Sequence, residues 1–176
     1  WIADMYRYMI EHPAWLPQNG KDDFQPFYRE GDDKGRIYRI YPKGKRPATM
    51  KPLDKMNAEE LVAVLESSNG WLRDRAQIVL HTRADKAAVP ALEKLAITSK
   101  QPLARAHALS ALDDLHALKN ETLIAALKDE SIGVREHALR IAELHQEDDV
   151  VAAAAKLADD PSAKVRLQLA LSLGEW

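Results

Sequence analysis

Four arginines recur at nearly constant spacing from the middle of the chain to its end. Arg73, Arg105, Arg135 and Arg166 lie 32, 30 and 31 residues apart. Self-similarity at a period of about 20–50 residues indicates stacked structural repeats, each of which buries its apolar face against the next. The spacing therefore predicts that residues 51–176 form a solenoid in which every repeat depends on its neighbours.

Each repeat is predicted to contain two helices. Val134, Ala138 and Ile141 recur at spacings of four and three after one of the polar breaks, which is typical of one buried helical face. The arginines fall on such second helices. The apolar first helices are expected at residues 58–65, 87–96, 121–127 and 150–157.

The first 50 residues have a different pattern. Residues 1–8 and 35–41 are rich in aromatic and β-branched side chains and predict two strands, while prolines and glycines between them indicate irregular structure. A short helical turn is a further expectation at residues 5–11. A two-stranded ribbon is marginally stable alone, so we expect its sheet to continue in strands upstream.

The predicted fold class is therefore mainly α. An α-α superhelix of helix pairs occupies residues 51–176, and a two-stranded β segment with a linker occupies residues 1–50. Asp54 or Asn57 is expected to cap the first helix, and Glu60 lies where it would complete a capping box with Asn57.

The repeat sequences carry a family resemblance. Residues 129–135 read Asp-Glu-Ser-Ile-Gly-Val-Arg, and residues 159–166 read Asp-Asp-Pro-Ser-Ala-Lys-Val-Arg. Both resemble the turn and second helix of HEAT-like repeats, which are armadillo-like helical units. The resemblance covers roughly residues 57–176 and implies a scaffold for protein–protein interaction.

A second resemblance lies near the start of the chain. Trp-Ile-Ala-Asp-Met-Tyr-Arg at residues 1–7, Ile-Glu-His-Pro at 10–13 and Lys-Gly-Arg-Ile-Tyr-Arg-Ile at 34–40 resemble the closing blade of the sugar-dehydrogenase-type β-propeller of membrane-bound dehydrogenases. In that family, HEAT-like repeats and a c-type haem domain follow the propeller. The resemblance implies a periplasmic or otherwise extracytoplasmic parent protein that uses pyrroloquinoline quinone to oxidise a sugar or alcohol, with haem c downstream.

Composition limits what these residues can bind. The chain has no cysteine, which excludes disulfides, zinc–thiolate sites and Cys-x-x-Cys-His haem attachment within it. No run approaches the roughly 18 apolar residues of a membrane span. Residues 51–176 carry 16 Lys and Arg against 20 Asp and Glu, a balance that speaks against nucleic-acid binding. We expect no cofactor in this segment and, as partners, the upstream propeller and downstream haem domains.

The repeat arginines are the first candidate functional residues. A guanidinium at the same point of each second helix can bridge to a carboxylate near the preceding turn and to backbone carbonyls. Asp129 and Asp159 are among the expected partners, with Asp74, Asp113 and Asp114. The alternative is a row of cations that binds an anionic ligand or a nucleic-acid backbone.

Three histidines complete the set of candidates. His107 and His137 each follow a repeat arginine by two residues, so they occupy equivalent places and could face each other as metal ligands. Hydrogen-bonded structural histidines are the preferred interpretation, because iron or manganese would want more carboxylates nearby. His12, in a loop before Pro13, is a candidate general base.

Two hypotheses follow. The first is a non-catalytic HEAT-like spacer and interaction module within a larger quinoprotein-type dehydrogenase. The second is a solenoid with its own activity, either a metal-dependent hydroxylase or an enzyme that acts on nucleic acid. No nucleophile motif or phosphate loop is present in the sequence, which favours the first.

Overall fold

A computed structural model gives the structure of the chain for residues 1–6, 13–46 and 49–176. The chain forms two compact units, Trp1–Met50 and Lys51–Trp176. Each unit is described by itself below.

The first unit contains a two-stranded antiparallel sheet. Strand β1 (Ile2–Asp4) pairs with strand β2 (Arg36–Tyr38) in a register that places Ala3 opposite Ile37. The two predicted strands are confirmed, but each is only three residues long. Ile2 and Ile37 remain 50% and 73% exposed, and they point to opposite faces because successive strand residues alternate. The ribbon is therefore uncovered on both faces.

The segment between the strands is more regular than the sequence predicts. Helix α1 (Gln18–Phe24) follows Pro17, whose φ of −61° suits the residue before a helix. The Gln18 side-chain amide donates to Asp22 Oδ1 at 3.2 Å, one helical turn later. Prolines at both ends made this stretch look irregular. Most of the turn expected at residues 5–11, and candidate His12, lie in residues 7–12, outside the described part of the chain.

The second unit is built from helix pairs. Its first helices are α2 (Ala58–Val64), α4 (Val89–Thr98), α6 (Asn120–Ala126) and α8 (Asp148–Ala155). Its second helices are α3 (Gly70–Arg83), α5 (Pro102–Asp114), α7 (Ile132–Ala142) and α9 (Ala163–Ser172). First helices pack on first helices and second on second, in chain order. The predicted mainly helical class, with a small β segment before the helices, is confirmed.

The predicted start of the first helix is confirmed in detail. Asn57 is the N-cap, and its side-chain oxygen accepts from the Glu60 backbone N–H at 2.8 Å. The Glu60 carboxylate in turn accepts from the Asn57 backbone N–H at 2.8 Å. This reciprocal capping box satisfies two N–H groups that have no partner inside the helix, and Asp54 is not the cap.

A continuous apolar core runs between the two layers of helices. Leu61, Leu92, Leu109, Leu123 and Leu139 are each fully buried, and a side chain of this size contributes about 1.5–3 kcal/mol when removed from water. The third residue after each repeat arginine also lies in this core. It is alanine in α3, α5 and α7 and Leu169 in α9, which is only 4% exposed. The last helix therefore keeps the register of the others.

Two helices end on a residue with left-handed backbone. Ala84 after α3 has φ 48° and His116 after α5 has φ 51°. A Cβ atom makes this conformation costly, and glycine usually occupies it.

Ala84→Gly is therefore expected to stabilise the chain by about 0.5–1 kcal/mol, since it removes the strain at an exposed site. Urea unfolding monitored by circular dichroism would measure the change. Ala125→Gly, at an exposed position inside α6, is the matched control and should destabilise by about 1 kcal/mol. A loss of stability at Ala84 equal to that at Ala125 would contradict this account.

Candidate functional site

The four repeat arginines occupy one equivalent position in the structure. Each is the fourth residue of its helix, and its Nη1 donates to the backbone carbonyl six residues earlier. The bonds are Arg73 to Ser67 at 2.7 Å, Arg105 to Ser99 at 2.7 Å, Arg135 to Asp129 at 2.7 Å and Arg166 to Asp160 at 2.6 Å. Every arginine thus closes the turn that precedes its own helix.

Two of the arginines also hold a carboxylate from the following repeat. Arg105 donates through Nε and Nη2 to both oxygens of Asp129, at 2.7 and 2.6 Å. Arg135 does the same to Asp160, at 2.7 and 3.0 Å. Bidentate pairs of this kind are strong and fix orientation. The hydrogen bond to Asp129 raises the pKa of Arg105, and the one from Arg135 lowers the pKa of Asp160.

The predicted carboxylate partners are confirmed in part, since Asp129 binds Arg105. The carboxylate comes from the turn of the next repeat and not from the preceding turn, and it is Asp160 rather than Asp159 that binds Arg135. Asp129 and Asp160 also accept from the backbone N–H groups two residues later, Ser131 and Ser162. Each of these carboxylates therefore accepts hydrogen bonds both from the backbone of its own turn and from the arginine of the preceding repeat.

In the described part of the chain, Arg73 and Arg166 bind no carboxylate in this way. Ser99 lies six residues before Arg105, at the position that Asp129 and Asp160 hold in the next two repeats. The second repeat therefore has a hydroxyl at this turn position instead of a carboxylate. The buried Nε of Arg73 has no hydrogen-bond partner among the residues that the structure describes. Arg166 is exposed in the fourth repeat, and its Nη1 donates to the Asp160 carbonyl. The four arginines therefore share the bond to a backbone carbonyl but differ in whether they bind a carboxylate.

His107 and His137 line one groove between second helices. His107 Nδ1 lies 2.6 Å from Gln77 Oε1 of α3, and His137 Nε2 lies 2.7 Å from Ser110 Oγ of α5. With Leu103 these side chains border a groove of about 260 Å³. The pKa of each imidazole is lowered, chiefly because burial disfavours the charged form. Hydrogen-bonded histidines bridge neighbouring helices here.

The groove does not gather a metal-binding set. Across residues 1–6, 13–46 and 49–176, no three His, Asp or Glu side chains are placed to hold one ion. Asp74 Oδ1 approaches His107 Nε2 at 3.7 Å, which is beyond the distance of a hydrogen bond. Gln77 and Ser110 were not among the candidates from sequence, because neither type of residue signals chemistry by itself.

A third histidine bridge lies further along the same helices. His145, which follows α7, places Nε2 2.7 Å from Asp113 Oδ1 on α5. His116 and His145 both follow the C-terminal ends of their helices, α5 and α7. The contact with Asp113 joins His145 to the neighbouring repeat.

Acidification is expected to destabilise the second unit through His107 and His137. Because burial lowers their pKa values below the ordinary 6.5, the unfolded chain binds protons that the folded chain does not. The stability that depends on keeping these two imidazoles unprotonated is fully present above about pH 6.5 and is lost as the pH falls below that value. Each unit of pKa difference corresponds to about 1.4 kcal/mol.

Urea unfolding at about pH 7.5 and about pH 5.5 measures this effect, and the lower pH should give the lower free energy of unfolding. The double variant His107→Gln, His137→Gln keeps hydrogen-bonding side chains but does not titrate. It should show a smaller difference between the two pH values. An undiminished difference in the variant would assign the effect to other groups.

Comparison with known proteins concerns the first unit. A family described as "Domain of unknown function (DUF7133)" matches residues 1–44. No curated protein matches the chain. The family match ends before the solenoid begins. In the described residues, no helix combines the length and apolarity needed to cross a membrane.

Proposed function

We propose that residues 51–176 serve as a non-catalytic, HEAT-like scaffold and protein-interaction module. The observation that carries this proposal is the use of the repeated arginines. Each closes a turn through a backbone carbonyl, and Arg105 and Arg135 also hold a carboxylate of the next repeat. The arginine that recurs in every repeat therefore makes structural contacts that hold helices in place, as is suited to a scaffold.

The proposed setting is a larger extracytoplasmic dehydrogenase of the quinoprotein type. The motifs at residues 1–7, 10–13 and 34–40 support it, together with their order before the repeats. The short, uncovered ribbon of β1 and β2 suits strands that complete a larger sheet. In such a parent, pyrroloquinoline quinone would belong to the propeller upstream and haem c to a domain downstream. A reading frame with a multi-bladed strand pattern before residue 1 and Cys-x-x-Cys-His after residue 176 is the expected finding.

Metal analysis of the purified chain separates the scaffold from a metal-dependent hydroxylase. After exposure to Fe²⁺ or Mn²⁺ and desalting, the scaffold proposal expects less than stoichiometric metal. The double variant His107→Gln, His137→Gln is the matched control and should retain the same trace amount. Stoichiometric metal in the wild-type chain that disappears in the variant would overturn the proposal.

The nucleic-acid alternative is tested with the same samples. A gel shift at low salt favours detection, because phosphate contacts weaken as salt rises. Because the solenoid has more acidic than basic residues, we expect DNA and RNA to migrate as unbound nucleic acid at every protein concentration. A retarded band that Arg166→Ala abolishes would favour a row of arginines that binds phosphate.

A further inference from the structure

The outward faces of α3 and α5 carry apolar side chains that stay accessible to solvent. Ile78 on α3 is 50% exposed, and Leu103 on α5 is 58% exposed. Each borders a hollow in the surface between second helices. Leu103 belongs to the groove of about 260 Å³ described above, here called the histidine groove, which is lined by Gln77, Leu103, Ala106, His107, Ser110 and His137.

Ile78 belongs to a second hollow, which is acidic. This acidic hollow has a volume of about 370 Å³ and is lined by Asp74, Gln77, Ile78, His81 and Asp114. Because Gln77 lines the histidine groove as well, the two hollows are neighbours. Together they form one surface that combines apolar side chains with two carboxylates.

Both carboxylates of the acidic hollow can accept further hydrogen bonds. Asp74 Oδ1 lies 3.7 Å from His107 Nε2, and Asp114 Oδ2 lies 3.6 Å from His81 Nδ1, which are distances beyond a hydrogen bond. The two aspartate side chains are 66% and 36% exposed, so a group from outside the chain can reach them. Since an ionised carboxylate only accepts hydrogen bonds, a cationic donor is the partner that suits it best.

The chain's own cations do not occupy this surface. Within the described residues, no lysine or arginine lines either hollow. The two arginines beside Asp74 in sequence are engaged elsewhere, because Arg73 donates to the Ser67 carbonyl at 2.7 Å and Arg75 lies 5.5 Å from the centroid of the Trp71 ring. The negative charge of the acidic hollow is therefore available to a partner.

We propose that this surface docks a short segment of another protein in which a lysine or arginine lies close to an apolar side chain. The cationic group binds the carboxylates of Asp74 and Asp114, and the apolar side chain packs against Leu103 in the histidine groove. Charge complementarity selects this occupant, since the carboxylates repel nucleic acid and a purely apolar segment would bury them without a partner. The proposal rests on the scaffold function, because it gives the chemistry of the partner that the scaffold binds.

A designed peptide tests the docking on the 176-residue chain. Acetyl-Leu-Gly-Arg-Gly-Leu-amide carries one cation and presents a leucine near it in either chain direction. At about pH 7.5, where histidine is mostly neutral, the peptide should move the backbone amide NMR signals of residues 74–81 and 103–114 and bring them to saturation. The same peptide with citrulline in place of arginine keeps the shape without the charge, and it should bind at least about fivefold more weakly.

Variants of the chain locate the binding. The double variant Asp74→Asn, Asp114→Asn removes both charges at nearly constant shape, and it should bind the arginine peptide at least about fivefold more weakly while its affinity for the citrulline peptide stays the same. Leu103→Ser removes the apolar contact and should weaken the binding of both peptides. The matched control Asp148→Asn, Asp159→Asn removes two exposed acids outside this surface and should bind as the wild type does.

Several results would overturn the docking surface. They are signals that the arginine peptide leaves unmoved, equal affinities for the arginine and citrulline peptides, and a control variant that loses as much affinity as Asp74→Asn, Asp114→Asn. Dimerisation of the chain alone that this double variant abolishes would assign the surface to a second copy instead. If the double variant does not fold, the two peptides on the wild type and on Leu103→Ser decide the question.

Failure of the peptide titration is distinguishable from failure of the scaffold function. The titration contains neither metal nor nucleic acid, so peptides that do not bind remove this docking surface and leave the scaffold proposal standing. Stoichiometric metal or a retarded nucleic-acid band would overturn the scaffold proposal whatever the peptides do.

Discussion

Arg105→Ala is expected to lower the free energy of unfolding by about 3–5 kcal/mol, because it leaves a buried carboxylate without its partner. The side chains of Arg105 and Asp129 are only 5% and 11% exposed. Two hydrogen bonds join them, and a third connects Arg105 to the Ser99 carbonyl at 2.7 Å. The loss therefore affects three acceptors that water reaches poorly. Urea unfolding followed by circular dichroism would measure it.

Arg166→Ala is the matched control for that variant. Arg166 holds the equivalent place in α9, but it is exposed and donates to the Asp160 carbonyl. Exposed charged contacts are usually worth no more than about 1 kcal/mol. A loss at Arg166 as large as at Arg105 would mean that the shared position, and not the buried carboxylate pair, sets the energy.

A double variant tests the cause further. Arg105→Met with Asp129→Asn removes both charges, and the asparagine oxygen can still accept from the Ser131 backbone N–H. Replacing a buried ion pair by uncharged groups is often close to neutral, whereas removing one partner is not. The double variant should therefore be more stable than Arg105→Ala. If it is less stable, the pair itself and not the stranded charge carries the free energy.

Ala138→Leu is expected to destabilise the chain by about 1–3 kcal/mol through overpacking. Ala138 is fully buried on α7, which packs against both α5 and α9. Protein interiors are close to crystal density, so a larger side chain forces its neighbours from their preferred rotamers. Differential scanning calorimetry would show a lower unfolding temperature.

Leu169 in the last helix provides the comparison. It lies at the position equivalent to Ala138 and is buried as leucine, so the surroundings there accept the larger side chain. Leu169→Ala should cost about 2–5 kcal/mol by opening a cavity. Ala138→Leu enlarges the side chain at this repeat position and Leu169→Ala shortens it, and both substitutions should lower the free energy of unfolding. A stabilising Ala138→Leu would mean that the alanine position is loosely packed.

The helix pairs were predictable from sequence because their signals are local. Apolar residues at spacings of three and four mark one face, and Asn57 with Glu60 marks the first helix start. The class of the fold follows from such patterns, since each depends on residues within one or two turns. Helix α1 was missed because Pro17 and Pro26 look like breaks, although a proline before a helix is compatible with it.

The contacts between repeats were less predictable. Asp159 and Asp160 are adjacent in sequence, and only the stacking of α7 on α9 decides that Asp160 binds Arg135. A usable signal was present, since Asp129 and Asp160 both lie six residues before a repeat arginine. Gln77 carries no comparable signal, because its contact with His107 joins residues 30 positions apart.

The replacement of aspartate by Ser99 has a mechanical consequence for the solenoid. Aspartates bound by arginines join the second repeat to the third and the third to the fourth. In the described residues, the first repeat is joined to the second by hydrogen bonds of Ser99 to Glu66 and of His107 to Gln77 instead. Parts of a protein with fewer strong links open at lower free energy than the rest. The contact between α3 and α5 lacks a bidentate ion pair of this kind, so we expect α2 and α3 to exchange their amide hydrogens at a lower opening free energy than the later helices.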